Sequence, residues 1–216
     1  MAKGVNVTTN TTPSIHTMTS AKPTSGARHV LIVEDDTLIG MGLAAMLERL
    51  GHKVVGQAAG AAAAIQLYRQ GQTDLVLMDI QLDETDGIEL AKTLLGERRC
   101  PVIIISAYSE PELVARAAAA GVFGYLVKPV THDALRAQIA VSVRRFEELE
   151  QARADKEQLS QTLETRKLVE RAKGLLMKSL NLDEPAAHRR LQLEAQKRRI
   201  TIGQAAQRVI DADKRG

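Results

Sequence analysis

Glu34, Asp35 and Asp79 are carboxylates that close short apolar runs. Ser106 and Lys128 stand at the same position of two later runs. If those ends meet, three acids, a hydroxyl and an amine share one site. Acids that close repel one another, and one takes up a proton unless a cation intervenes. A hard divalent ion such as Mg2+ suits an all-oxygen ligand set and keeps some of its waters. One carboxylate could then act as nucleophile on a phosphoryl group. The metal and Lys128 would oppose the charge on its equatorial oxygens, and Ser106 would donate a hydrogen bond to it. Singly, each residue has a plainer role: Asp36 as a polar strand end, Asp79 as a turn former, Ser106 as a cap, Lys128 as a surface amine. Only the ordered set implies chemistry.

The elements that must position this set follow from the apolar runs. HVLIV (29–33), KVVGQA (53–58), DLVLMD (74–79), PVIIIS (101–106) and GYLVKP (124–129) read as strands. Helical patterns lie between them at 38–50, 61–70, 87–95 and 111–120. Gly51, Gly71 and Gly121 end three of these. Strands of continuous apolar character alternating with helices predict an α/β fold, a doubly wound five-stranded parallel sheet covered on both faces. In such sheets ligands sit beyond the carboxyl ends of the strands.

Composition narrows the function classes. The chain has 216 residues and one cysteine, Cys100, which excludes a disulfide framework and suits a reducing, cytoplasmic setting. No run reaches the ~20 apolar residues of a membrane span. Residues 1–28, rich in Thr, Ser and Pro, lack the apolar core of a secretory signal and read as a disordered tail. Charge is uneven. Residues 30–146 hold 11 basic against 14 acidic side chains, and residues 164–216 hold 13 against 7. A basic end beside an acidic domain favours a polyanionic partner.

From His132 a helical pattern runs without Gly or Pro to Gly174. Leu135, Ile139, Ser142, Phe146 and Leu149 keep a 4-3-4-3 spacing, continued by Leu159 and Leu163 but interrupted by Arg153 and Lys156. A rigid spacer and a dimerising coiled coil both fit this seam. Three short helices are expected next. The first carries Leu168, Ala172, Leu175 and Leu176 and loosens near Asn181, with Met177 in the core. The second starts at Asp183 and Pro185, with a stripe of Ala187, Leu191 and Ala195. The third opens on a Thr201-to-Gln204 capping box. No aromatic residue follows Phe146, so base stacking on aromatic rings is unavailable there. The third helix is poor in groups for reading a DNA major groove.

The strings VLIVEDD (30–36), LVLMDIQLDETDG (75–87), VIIISA (102–107) and GYLVKP (124–129) resemble the receiver domain of two-component response regulators. The resemblance spans about 28–148. It implies a flavodoxin-like sheet of order 2-1-3-4-5 and phosphorylation of Asp79 by a histidine kinase. It implies Mg2+ held by Asp35 directly, by Glu34 through water, by Asp79, and by the backbone carbonyl of Gln81. Ser106 and Tyr125 would be the switch pair, and Lys128, aimed by a cis bond to Pro129, would reach the phosphoryl group. One departure is visible: where the family usually has Pro four residues after the acceptor, this chain has Asp83, followed by Glu84. The loop is therefore read as more acidic and looser.

The segment from Leu163 to Arg199, with ERAKGLLM (170–177) at its centre and AAQRVID (205–211) beyond it, resembles the ANTAR domain of transcription antitermination regulators. That resemblance implies binding of hairpins in leader RNA. It points to Arg171, Lys173, Gly174, Arg198 and Arg199 as contacts. Gly174 is also open to a plainer reading, as a close-packing site between helices. His188 stands where the family usually has an aromatic residue, and reads as a packed ring with a wet edge. The expected organisation is a tail (1–28), a receiver (29–148), a helical linker (149–163) and an RNA-binding module (164–216). The chain is read as a regulator rather than an enzyme, cytoplasmic, with a kinase and RNA as partners and a homodimer possible through the long helix. A protein-binding adaptor and a DNA-binding regulator are the alternatives.

Overall fold

The computed structural model describes residues 26–83 and 85–214. Five apolar runs form one parallel sheet of β1 (His29–Val33), β2 (Lys53–Ala58), β3 (Leu75–Asp79), β6 (Val102–Ser106) and β7 (Gly124–Val127). The order is β2-β1-β3-β6-β7, the doubly wound order expected from the resemblance. Strand residues alternate between two cores. Leu31, Val33, Val76, Met78 and Ile104 pack under α2 (Ala61–Arg69), α3 (Gly87–Glu97) and α4 (Pro111–Ala119). Val30, Ile32, Leu77, Ile103 and Ile105 pack on the other face against α1 (Thr37–Arg49) and the start of α5 (His132–Leu180). Burial on both faces is why the strands are apolar without a break.

Two short strands escape any periodic reading. β4 (Gln81–Leu82) and β5 (Thr85–Asp86) pair antiparallel, Gln81 opposite Asp86 and Leu82 opposite Thr85. Asp83 directly follows β4 in this hairpin. Glu84 lies outside the described residues, as do residues 1–25 of the expected tail. Arg28 does not belong to that tail. Its carbonyl accepts from Lys53 N at 2.8 Å, and its guanidinium lies 2.5 Å from Glu147 on α5.

The long helix is longer than expected. α5 runs unbroken from His132 to Leu180, 49 residues, and its last turns are the first helix of the C-terminal bundle. No strong breaker separates them, since the segment has no Pro and a single Gly, Gly174, at about 1 kcal/mol relative to Ala. The helix ends at Asn181, whose φ of 49° is a left-handed cap. The spaced seam divides by function. Leu135, Ile139 and Ser142 are buried in the receiver, and Phe146 meets Phe123 edge-on at 5.3 Å between ring centroids. Only Leu149, Leu159 and Leu163 remain exposed. Arg28–Glu147 and Arg99–Glu150 pairs fix the helix where it leaves the sheet. From Gln151 to Glu164 every residue is exposed.

α6 (Glu184–Arg198) and α7 (Ile202–Asp213) fold back on the end of α5. Asp183 caps α6 through Ala186 N at 2.8 Å. The Thr201–Gln204 capping box is present in both directions, at 2.9 and 3.2 Å. The core is small: Val169, Ala172, Leu176, Ala187, Leu191, Ala206 and Ile210. Met177, expected in it, is 37% exposed. Alanines allow close approach but bury little area, so each large side chain counts heavily. Leu191→Ala is expected to cost about 2–5 kcal/mol and to lower the bundle's urea midpoint while the sheet domain's transition stays in place. Coincident loss of both transitions would contradict a separately cooperative bundle.

Candidate functional site

The carboxyl ends of β1, β3, β6 and β7 bring the ordered set together. Glu34 and Asp35 follow β1, Asp79 ends β3, Ser106 ends β6, and Lys128 follows β7. Lys128 Nζ lies 2.5 Å from Asp79 Oδ2 and 3.0 Å from Glu34 Oε2. Its bond to Pro129 is cis. Glu34 and Asp79 are each 7% exposed, so both acids sit below the surface of an acidic cleft. Asp79 Oδ1 accepts from Gln81 N at 3.2 Å. Asp36, by contrast, caps α1, accepting from Leu38 N and Ile39 N at 2.8 and 3.1 Å.

The electrostatics follow from burial. Burial pushes the Glu34 carboxyl above its ordinary range, and the nearby Asp79 charge adds to this while Lys128 opposes it. Burial alone would lower Lys128, but its hydrogen bonds to Asp79 and Glu34 outweigh that and raise it. One ammonium thus holds two acids together. Oxygens of Glu34, Asp35 and Asp79 can all lie within 4.8 Å of one another, the one such acidic trio among the described residues. An all-oxygen donor set of this size fits a hard divalent cation, with the Gln81 carbonyl as a further protein oxygen.

Ser106 and Tyr125 meet through a residue that spacing does not reveal. Ser106 Oγ accepts from Tyr108 N at 3.1 Å, and Tyr125 Oη donates to Tyr108 O at 2.8 Å. Both switch candidates therefore hold the main chain of one residue on the cleft wall. Asp86 caps α3 through Ile88 N and pairs with Arg116 of α4, bridging the hairpin to the next helix. Gly87 is the other overlooked position. Its N–H donates to Ile80 O at 2.7 Å, and a Cβ there would lie 1.8 Å from the carbonyl oxygen of Asp79. A Gly where a helix starts was the only sequence signal.

The five expected RNA contacts are not equivalent. Arg171 and Gly174 are exposed on the outer face of α5. A Cβ on Gly174 would meet nothing within 4 Å, so it is not a close-packing site. Lys173 is not on that face. Its side chain is 9% exposed, and its ammonium pairs with Glu170 at 2.9 Å and Glu184 at 2.6 Å, tying α5 to the first turn of α6. Its ammonium is therefore already paired with two acids, which an RNA phosphate would have to displace. Arg198 pairs with Glu194. Arg199 is exposed and forms the left-handed cap of α6, at φ 55°. His188 is half-buried.

An acidic cleft closed by a lysine, at the carboxyl edge of a sheet with this order, defines a signalling receiver joined by one helix to a small basic bundle. The model of the response regulator receiver domain matches residues 30–140, that of the ANTAR domain matches residues 157–210, and the chain belongs to the response regulators. It is 41% identical over 184 residues to the transcriptional regulatory protein PdtaR of Mycobacterium tuberculosis, covering 85% of this chain and 90% of that one. Among solved structures it is similar to the receiver domain of a modulated diguanylate cyclase from Desulfovibrio desulfuricans. That match is 34% identical with a TM-score of 0.52 and covers 56% of this chain and 97% of the other. A CheY-like receiver from Methanospirillum hungatei is 27% identical with a TM-score of 0.53, over 57% and 98%. No described helix is long and apolar enough to cross a membrane.

Proposed function

We propose that the chain is a cytoplasmic regulator that takes a phosphoryl group from a histidine kinase on Asp79 and controls an RNA-binding antitermination module. The observation that carries this reading is the buried Asp79–Glu34–Lys128 cluster, with Asp35 beside it, upstream of a basic ANTAR bundle on the same helix. An oxygen of Asp79 attacks the phosphorus of a phosphohistidine. The O–P bond forms as the P–N bond breaks, and the electron pair leaves with the imidazole. Lys128 is placed to follow the oxygens of the arriving group. Glu34, Asp35, Asp79 and the Gln81 carbonyl would hold Mg2+, which when bound neutralises phosphoryl charge. The product is a mixed anhydride and hydrolyses, which suits a transient signal. The protein is a regulator whose phosphotransfer serves the signal and not a product.

Coupling runs through α5, because one helix both packs on the sheet and founds the bundle. Movement of Ser106 toward the phosphoryl group would release Tyr108 N, and Tyr125 would follow, altering the face next to α5. The exposed Leu149, Leu159 and Leu163 would then support a homodimer. The test is a gel shift of the full chain with paired small RNA hairpins, across salt, before and after treatment with a small phosphodonor and Mg2+. Phosphorylation is expected to tighten binding, and affinity is expected to fall steeply with salt. A chain that ignores RNA but retains a protein partner would make it an adaptor. Preference for duplex DNA would make it a DNA-binding regulator.

A further inference from the structure

Helices α5, α6 and α7 enclose a groove of about 350 Å³. Its rim carries Arg190 and Arg198 from α6 and Arg208 from α7. Arg190 and Arg198 are two helical turns apart with Glu194 between them, so they share one face of α6. Arg208 comes from a different element, and only the packing of α7 on α5 and α6 brings it to the same opening. The floor is apolar, built from Leu176, Leu191 and Val209. Leu180, half exposed at the last turn of α5, forms a ledge beside it.

The charge balance at this groove is unusual for mere helix packing. Three guanidiniums face one acid. Arg198 pairs with Glu194, and that hydrogen bond holds the Glu194 carboxyl below its ordinary range against burial, with Lys197 and Arg208 helping. Arg190 and Arg208 have no ion pair among the described residues. Three cations against one acid leave the groove net positive, which attracts a further anion. Guanidinium forks match phosphate oxygens, and an apolar ledge suits the ribose or base face next to a phosphate.

We propose that this three-arginine groove seats the sugar–phosphate backbone of RNA, with Arg190 and Arg208 as its free phosphate donors and Leu180 as the apolar ledge. The assignment rests on the RNA-binding reading above and adds Arg190 and Arg208 to the contacts expected from the sequence. Arg198, paired with Glu194, lines the same opening.

The test uses the full phosphorylated chain, a paired-hairpin RNA probe and a salt series. Arg190→Gln with Arg208→Gln is compared with Arg166→Gln, about 15 Å down α5 from Leu176. All three positions are exposed, and unfolding midpoints check that each variant is folded. The groove pair is expected to weaken binding about tenfold or more and to reduce the slope of log affinity against log salt by about 1 to 2. Arg166→Gln should change affinity by less than about twofold if its phosphate contact is absent. If the wild-type chain binds RNA and the groove pair binds equally well, the groove is wrong and the RNA reading stands. If Arg166→Gln weakens binding as much as the pair, the groove is not the seat. If the wild-type chain binds no RNA, the groove and the RNA reading fall together. Equal loss on duplex DNA of matched length would overturn the assignment to RNA.

Discussion

Asp79→Asn is expected to abolish phosphoryl incorporation from a small phosphodonor in the presence of Mg2+, read as loss of the phosphoryl mass increment on the intact chain. An amide nitrogen or its carbonyl is too weak a nucleophile to replace a carboxylate, and the acyl phosphate cannot form on it. The substitution keeps the shape of the side chain. It leaves Lys128 with Glu34 as its anionic partner, at 3.0 Å. It also removes one of two acids that oppose each other below the surface, so the domain should fold normally. Loss of labelling in a folded variant is then a statement about chemistry. Asp83→Asn, at the exposed hairpin, serves as the comparison and is expected to label like the parent. Undiminished incorporation in Asp79→Asn would remove Asp79 from the role proposed for it.

Gly87→Ala should do damage of a different kind. The added methyl would lie 1.8 Å from Asp79 O, 2.9 Å from Asp79 C and 3.1 Å from Ile80 Cα. All three are main-chain atoms, so no side-chain rotation relieves the overlap. Either α3 or the end of β3 must move, and the 2.7 Å bond from Gly87 N to Ile80 O joins the two. Overpacking of this kind typically costs about 1–3 kcal/mol, and an overlap with backbone belongs at or above the top of that range. The strand end that shifts is the one that carries Asp79. The variant should therefore lose about 3 kcal/mol by urea unfolding and also label more slowly. Gly96→Ala, on the exposed face of the same helix with nothing within 4 Å of an added Cβ, should instead stabilise by about 0.5–1 kcal/mol. A Gly87→Ala protein as stable as its parent would show that the close approach is not what this position requires.

The sheet and its acidic site were legible in advance for a physical reason. Strands buried on both faces must be apolar throughout, so their ends are marked by the first polar residue. In an open parallel sheet those ends lie along one edge. Glu34, Asp35, Asp79, Ser106 and Lys128 needed only that order. Caps at Asp183 and Thr201 were legible because capping is a contact between residues two or three apart. Contacts that depend on what comes to lie alongside were not. A 4-3-4-3 seam marks a covered stripe without saying what covers it, and the sheet takes its first half.

Lys173 and Gly87 make the division plain. Local sequence marks Lys173 as one cation in a basic helix, and Gly87 as one flexible residue at a helix start. The fold places Glu184 of α6 against the first and the carbonyl of Asp79 against the second. The same holds for Arg190, Arg198 and Arg208, which share a rim only after α7 has packed. By itself the sequence determined which acids and which amine stand at the strand ends, the helix caps and the charge of each half, because these depend on residue type and near neighbours. Tertiary structure alone decided which cations remain free and which glycines are obligatory, because charge pairing and steric overlap depend on distance in space.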